Sequence, residues 1–119
     1  MQNSIAENIA TFLKQYEPFN YIEFTDLKTI ATNCSIITLQ KYKSLFKIND
    51  ELHESFYIVY SGVVHLTKVI DAEEVLHSKC YSGNLFGLRP FFAKNNYVLN
   101  AIANEDEILY AIQIAIFKH

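Results

Sequence analysis

The sequence predicts a mainly β fold, a sandwich or a barrel, with short α-helices ahead of the strands. From residue 34 onward, short apolar runs rich in Val, Ile, Tyr and Phe alternate with polar breaks. Before residue 34, the apolar residues instead recur with the period of a helix. The chain has 119 residues, half of them hydrophobic, which is enough for one core. We therefore expect one domain over residues 1–119.

Two short helices are predicted within about residues 4–33. Across residues 4–16 the apolar side chains fall on one face of a helix, and Pro18 ends this segment. A second helix is expected from about Glu23 to Asn33. Its inner face would bury the side chains of Leu27, Ile30 and Ala31.

The strands are predicted over about residues 34–112. Their apolar runs cover residues 34–39, 44–47, 56–61, 63–69, 75–81, 98–103 and 108–112. Residues 70–73 are expected to form a hairpin turn between two of these strands. Residues 86–93 are too compact for a strand and carry a Gly near their start, so a short helix or a turn is expected there.

Charge and hydropathy exclude several classes of partner. The formal net charge is -3, and Lys and Arg are scattered singly instead of forming the basic patch typical of nucleic-acid binders. No apolar stretch is long enough to span a bilayer, and the N-terminus lacks the features of a secretory signal. Two Cys without close spacing fit free thiols in a reducing cytoplasm. We expect a cytoplasmic protein without nucleic-acid or membrane partners.

No catalytic or metal site is predicted. The four histidines are expected on the surface, and the pair on the predicted hairpin supplies too few ligands for a structural zinc site; they are His53, His65, His77 and His119. The acidic residues gather at expected turns, where solvated charges are more common than a catalytic pair. No Cys–His pair with an orienting acid is indicated. We expect no enzymatic activity, no metal and no cofactor.

Three segments carry a resemblance to a known family. The first runs from Phe56 to Val64 and consists of a strand, Gly62 and a second strand. The second is Gly-Asn-Leu-Phe-Gly at residues 83–87, and the third joins residues 101–103 to residues 108–112. Behind two helices, these segments resemble the cyclic nucleotide-binding domain family over nearly the whole chain, with residues 83–87 similar to the start of its phosphate-binding cassette. The resemblance implies a double-stranded β-helix (jelly roll) flanked by short α-helices, and a regulatory ligand-sensing domain.

Two positions depart from the family's cassette. Where the family has a Glu that accepts from the ribose hydroxyl, this chain has Leu88, which cannot accept a hydrogen bond. Where the family has an Arg that pairs with the cyclic phosphate, it has Tyr97, which is uncharged at neutral pH. Charge-assisted bonds are roughly twice as strong as neutral ones, so the departures imply a degenerate cassette that binds weakly or not at all. Arg89 either replaces the missing cation or is exposed or paired with an acid such as Glu105 or Asp106.

The ligand site that the resemblance implies comprises Phe86, Gly87, Leu88, Arg89, Tyr97 and Asn100. A cyclic nucleotide or another small anion would be held by the backbone amides of residues 87 and 88 and by the Arg89 side chain. The alternative is a ligand-free dimerisation or docking domain, in which Leu88 and Tyr97 fill the pocket.

The cassette also resembles that of a bacterial subgroup. The pattern Phe-Gly-Leu-Arg-Pro-Phe-Phe-Ala-Lys-Asn-Asn-Tyr, followed by Asn-Ala-Ile-Ala, is similar to domains that precede CBS modules and a nucleotidyltransferase-like domain. The resemblance implies an attached signalling domain, and a homodimer is the other partnership expected.

Overall fold

A computed structural model describes residues 2–117, with side chains described for residues 5–90 and 92–116. Two helices lead the chain, α1 (Gln2–Lys14) and α2 (Phe24–Thr32), with a 3-10 turn at Phe19–Tyr21 between them. α2 is flanked by Glu23 and Asn33, so the second predicted helix is confirmed, and its predicted inner face is buried. α1 ends two residues before the predicted end, and the Lys14 ammonium donates to the carbonyls of Asn20 and Ile22 at 3.0 and 2.8 Å.

Eight strands within the described residues form two antiparallel four-stranded sheets. They are β1 (Cys34–Leu39), β2 (Ser44–Phe46), β3 (Ser55–Ser61), β4 (Val64–Ile70), β5 (Glu73–Cys80), β6 (Leu85–Phe86), β7 (Asn100–Ala103) and β8 (Glu107–Gln113). The strand orders are β1–β8–β3–β6 and β2–β7–β4–β5. The non-sequential order and the antiparallel pairing are those of a jelly roll, which confirms the predicted fold class.

The apolar runs in the sequence predicted the bounds of most strands to within two residues. β1 has the predicted bounds, and six others begin and end within two residues of theirs. β7 starts at Asn100, two residues later than predicted, and Val98 ahead of it is 60% exposed. The two-residue strand β6 was not predicted as a strand, because a run this short leaves no periodic signal.

The predicted hairpin turn is confirmed between β4 and β5. Ile70 pairs with Glu73, and the two residues between them, Asp71 and Ala72, have φ of 53° and 67°. Positive φ at both central residues is the conformation whose twist matches the flanking strands. Asn49 also has a positive φ, 74°, a conformation that Asn tolerates better than most other residues.

The apolar interior has two parts, separated by the sheet that contains β3. Alternate residues of β3 point to opposite sides, so Phe56 and Ile58 belong to a helix-side core with α1 and α2. Tyr57 and Val59 belong to a roll core enclosed by the two sheets. All four side chains are at most 4% exposed, which makes β3 the central strand of the molecule.

The turn ahead of β6 packs against both β3 and the segment that follows α1. The Gly83 N–H donates to the Val59 carbonyl at 2.8 Å, and the Val59 N–H donates to the Asn84 carbonyl at 3.1 Å. The ring of Tyr16, two residues after the end of α1, lies directly over Gly83 in the space that a Cβ would occupy, and the φ of Gly83 is 89°. Only glycine fits both conditions, and this contact fixes where the following segment leaves the sheet.

Across the part of the chain that the structure describes, no helix has the length and apolar content needed to cross a bilayer.

Candidate functional site

A partly open cavity of about 690 Å³ lies between the segment around β6 and the sheet β2–β7–β4–β5. On one side it is lined by residues 85–90, 92–93, 95 and 97–99. On the other side the sheet contributes Phe46 of β2, Leu66 of β4, and His77 and Ser78 of β5. Five of the six predicted ligand-site residues line this cavity, and the sixth, Asn100, does not.

A sharp turn at Gly87 brings the backbone to the cavity. Phe86 pairs with Tyr57 of β3, and Gly87 then has a φ of 84°, outside the right-handed helical region. The helix α3 (Arg89–Ala93) therefore begins two residues after Gly87, with Pro90 in its first turn. The predicted short helix is confirmed, although Gly87 precedes it. The N–H groups of residues 87–89 have no acceptor among the described residues, so they are available to a ligand.

Arg89 lines the cavity with an exposed side chain. It forms no hydrogen bond or ion pair with any described residue, so the pairing with Glu105 or Asp106 considered above is not seen. Asp106 instead accepts from the Lys41 N–H at 2.8 Å. The guanidinium is therefore an uncommitted positive charge at the cavity.

Leu88 has a different surrounding from Arg89. Together with Leu85, it lines the cavity and also packs against the helix-side core. Both side chains are half-buried. These two leucines are thus in contact with the cavity on one side and with the α1–α2 layer on the other.

Tyr97 forms part of the cavity floor. Its side chain is 1% exposed, and its ring stacks on Phe46 with centroids 3.7 Å apart and planes 6° apart. The Tyr97 hydroxyl accepts from the His53 N–H at 3.1 Å. Burial raises the pKa of the Tyr97 phenol; the hydrogen bond from His53 opposes this rise, and Asp50 adds a smaller contribution that also raises the pKa. The Tyr97 side chain is therefore uncharged at neutral pH. It lines the cavity of about 690 Å³ and does not fill it.

The floor continues as an aromatic cluster around Phe46. Phe86 stacks on Tyr57 with centroids 5.6 Å apart, and Phe46 lies 6.2 Å from Phe86. His53 Nδ1 and the Tyr57 hydroxyl are 2.6 Å apart. Burial, with a smaller effect of Tyr97, raises the pKa of Tyr57 to about 12. An apolar, aromatic surface of this kind favours a flat ring and provides no charge.

Asn100 does not line the cavity, and its side chain forms hydrogen bonds to three other segments of the fold. Its Oδ1 accepts from the Ile48 N–H at 2.9 Å, and its Nδ2 donates to Glu74 Oε2 at 3.0 Å and to Thr67 Oγ1 at 3.3 Å. These bonds tie the loop after β2 to the β4–β5 hairpin. Both the oxygen and the nitrogen of the Asn100 side-chain amide therefore have hydrogen-bond partners within the protein.

The sheet contributes four lining residues that were not among the predicted site residues: Phe46, Leu66, His77 and Ser78. Phe46 and Leu66 reach the cavity through long-range sheet pairing, which leaves no local signal in the sequence. His77 was expected on the surface, and it is exposed, but it lies on the cavity wall. Alternation along a strand would place only one of residues 77 and 78 there.

Metal-ligating and nucleophilic groups are dispersed. No three His, Cys, Asp or Glu side chains gather around a possible metal position within the described residues, which exclude His119. His65 pairs with Lys79 in the hairpin register and is not opposite His77. Burial raises the pKa of Cys34 and of Cys80 to about 11, so both thiols are protonated at neutral pH.

Comparisons with known proteins agree with the fold. The family model described as "Cyclic nucleotide-binding domain" matches residues 36–119. A co-crystal structure of the regulatory domain of Toxoplasma gondii PKA with cAMP is similar, with a TM-score of 0.84 and 23% identity over 94% of this chain and 42% of that chain. No curated protein sequence matches the chain.

Two further solved structures have comparable similarity. The regulatory subunit of a cAMP-independent protein kinase A from Trypanosoma cruzi, bound to guanosine, has a TM-score of 0.85 and 17% identity, covering 95% of this chain and 40% of that chain. The sensor domain of the transcriptional regulator DNR from Pseudomonas aeruginosa has a TM-score of 0.83 and 19% identity, covering 93% and 75%. At these identities the likeness shows the fold. The chain spans about two fifths of the two kinase regulatory chains.

Proposed function

Because the chain belongs to the cyclic nucleotide-binding domain family, we propose that it is a regulatory ligand-sensing domain whose cavity takes a nucleotide or another small anion. One observation carries the proposal. The cavity of about 690 Å³ has the size of a small-molecule site, and residues 86–89 and Tyr97 line it. The proposal includes no enzymatic step.

We propose that the cavity binds an anion with low affinity. The uncommitted Arg89 guanidinium and the free N–H groups of residues 87 and 88 would hold it, while the neutral, buried Tyr97 adds no charge. Leu88 offers no acceptor for a ribose hydroxyl. The guanosine-bound Trypanosoma cruzi structure supports the idea that this fold can hold a ligand that has no phosphate.

The proposed mechanism is a population shift. A ligand that touches Leu85 and Leu88 would change how these side chains pack against the α1–α2 layer. The altered packing would bias an attached domain. We propose that this domain belongs to a longer signalling protein, with CBS modules and a nucleotidyltransferase-like domain, or that the bias acts across a homodimer.

Thermal-shift measurements test the proposal. Wild type, Arg89→Ala and Lys43→Ala are compared with cAMP, cGMP and linear nucleotides; Lys43 is an exposed lysine outside the cavity lining and serves as the control. At about 100 times Kd, a ligand stabilises the folded state by about 2.7 kcal/mol. We expect a nucleotide to raise the melting temperature of wild type and of Lys43→Ala by the same amount, and to raise that of Arg89→Ala by less.

A ligand-free docking or dimerisation domain is the second candidate. Two exposed apolar side chains on the cavity lining favour it: Phe92 is 71% exposed and Val98 60% exposed. If no nucleotide changes the melting temperature, this candidate replaces the first. A self-association that Phe92→Ser abolishes would then support the dimer.

A further inference from the structure

Strand β5 carries a β-bulge at the cavity. Leu66 of β4 pairs with Ser78, but the next residue, Thr67, pairs with Leu76, so His77 is the extra residue. In a regular strand, neighbouring side chains point to opposite faces of the sheet. A bulge redirects one of them, and here His77 and Ser78 both line the cavity.

The bulge therefore gives the cavity a polar strip. His77 Nδ1 and Ser78 Oγ are 3.3 Å apart, and the two side chains offer both donor and acceptor groups. The remaining polar lining is provided by Arg89, Asn95 and Tyr97, and the Tyr97 hydroxyl already accepts from His53. The strip is the main hydrogen-bonding surface that the sheet offers to a ligand.

Most of the other residues that line the cavity are apolar. Phe46 and Phe86 provide aromatic surface, Leu66 and Leu88 provide aliphatic surface, and no described Asp or Glu lines the cavity. Burying a charged group against such walls costs free energy, whereas a flat uncharged ring gains free energy by its burial. A planar heteroaromatic ring with a hydrogen-bonding edge matches this arrangement, and a nucleobase is such a ring.

We propose that His77 and Ser78 bind the edge of a nucleobase and that the nucleoside part of the ligand provides most of the affinity. Any phosphate remains near the exposed Arg89 and contributes little. This inference rests on the proposed function, since it requires that the cavity is a ligand site. It adds the chemical class of the ligand and two specificity-determining residues.

Calorimetric titration tests the inference. Adenosine, guanosine, cAMP and cGMP are titrated into wild type, His77→Phe, Ser78→Ala and Lys79→Ala; Lys79 is the next residue on β5, is exposed and does not line the cavity. We expect at least one nucleoside to bind with a Kd within tenfold of that of its cyclic phosphate. Each of the first two variants should weaken nucleoside binding by about 2- to 10-fold, the value of one neutral hydrogen bond, and Lys79→Ala should not.

Two results overturn the inference and leave the proposed function standing. One is a cyclic phosphate that binds more than tenfold more tightly than either nucleoside. The other is wild-type affinity in both His77→Phe and Ser78→Ala. If none of the four compounds binds, the inference fails, and the proposed function fails with it when the thermal-shift measurements also find no ligand. Melting temperatures check that each variant folds, and Ser78→Ala alone decides if His77→Phe does not.

Discussion

Glu107, at the start of β8, is a buried carboxylic acid without a partner. Its side chain is 3% exposed, and neither carboxylate oxygen has a hydrogen-bond partner among the described residues. Its Cβ is packed against Gly62, where a larger residue would collide with it. Burial, with a smaller effect of Glu105, raises the pKa of Glu107 to about 8. The group is therefore mostly protonated at neutral pH.

This raised pKa predicts that Glu107 destabilises the fold as the pH rises. The folded pKa is above the unfolded value of 4.5, so its contribution to stability is fully present below about pH 4.5 and is lost as the pH rises to about 8 and beyond. We expect Glu107→Gln to match wild type near pH 5 in urea unfolding and to exceed its unfolding free energy at pH 9, by on the order of a few kcal/mol.

The exposed Glu51 provides a matched control for this measurement. Glu51→Gln should follow the wild-type curve at both pH values. A constant difference between Glu107→Gln and wild type from pH 5 to pH 9 would contradict the assignment of the titration to Glu107.

Single residues of the site were predictable where the cassette has a sequence signal. Gly87, Leu88 and Arg89 were identified from the Phe-Gly motif, and they line the cavity. Tyr97 was identified as an uncharged replacement, but its stacking on Phe46 depends on β2, which is distant in sequence. Asn100 was included by position, and its hydrogen bonds to three other segments could not be foreseen from local pattern.

At the scale of elements, the turn between β4 and β5 contains a residue, Ala72, that fits its backbone conformation less well than glycine would. Ala72 has a φ of 67°, which is strained for any residue with a Cβ. Ala72→Gly creates an Asp-Gly turn, the preferred pair for this hairpin type. We expect it to raise the unfolding free energy by about 0.5–1 kcal/mol, measured by urea unfolding.

Ala115→Gly is the control for that change. Ala115 is exposed in the 3-10 turn at Ile114–Phe117 and does not have a positive φ. There a glycine should lower stability by roughly 0.5–1 kcal/mol. Equal effects of the two substitutions would mean that backbone strain at Ala72 is absent.

The elements were largely predictable because their signals are local. The bounds of β1, the extent of α2 and the turn at Asp71–Ala72 follow from periodicity and turn chemistry. The bulge at His77 does not, because it depends on how β5 pairs with β4 and not on the order of residues in β5. The polar strip of the cavity was missed for this reason.

At the scale of the whole molecule, the helical layer and the cavity are connected through Leu85 and Leu88 and also through Tyr16, which lies two residues after α1. The Tyr16 ring lies over Gly83, and Gly83 precedes the segment that lines the cavity. Phe12 extends the contact, with ring centroids 5.0 Å from both Tyr16 and Tyr60. The chain that follows α1 thus packs on the same turn that precedes the cassette.

A double-mutant cycle tests this connection. Gly83→Ala should destabilise the protein by more than about 1–2 kcal/mol, because it adds backbone strain to a collision with the Tyr16 ring. Tyr16→Ala removes the collision, so the double variant should be more stable than additivity predicts, with a coupling of about 0.5–3 kcal/mol in urea unfolding. Strict additivity of the two substitutions would show that the contact does not form.

The central claim is that the cavity beside residues 86–89 is the ligand site. Amide chemical shifts of the labelled protein, recorded with increasing cAMP and with increasing guanosine, test it most directly. The account predicts saturable shifts at Gly87, Leu88 and Arg89 and at His77 and Ser78, with smaller changes in α1 transmitted through Leu85. The account would be contradicted if neither compound changed the amide shifts, or if the changes were confined to the outer face of α1 and α2.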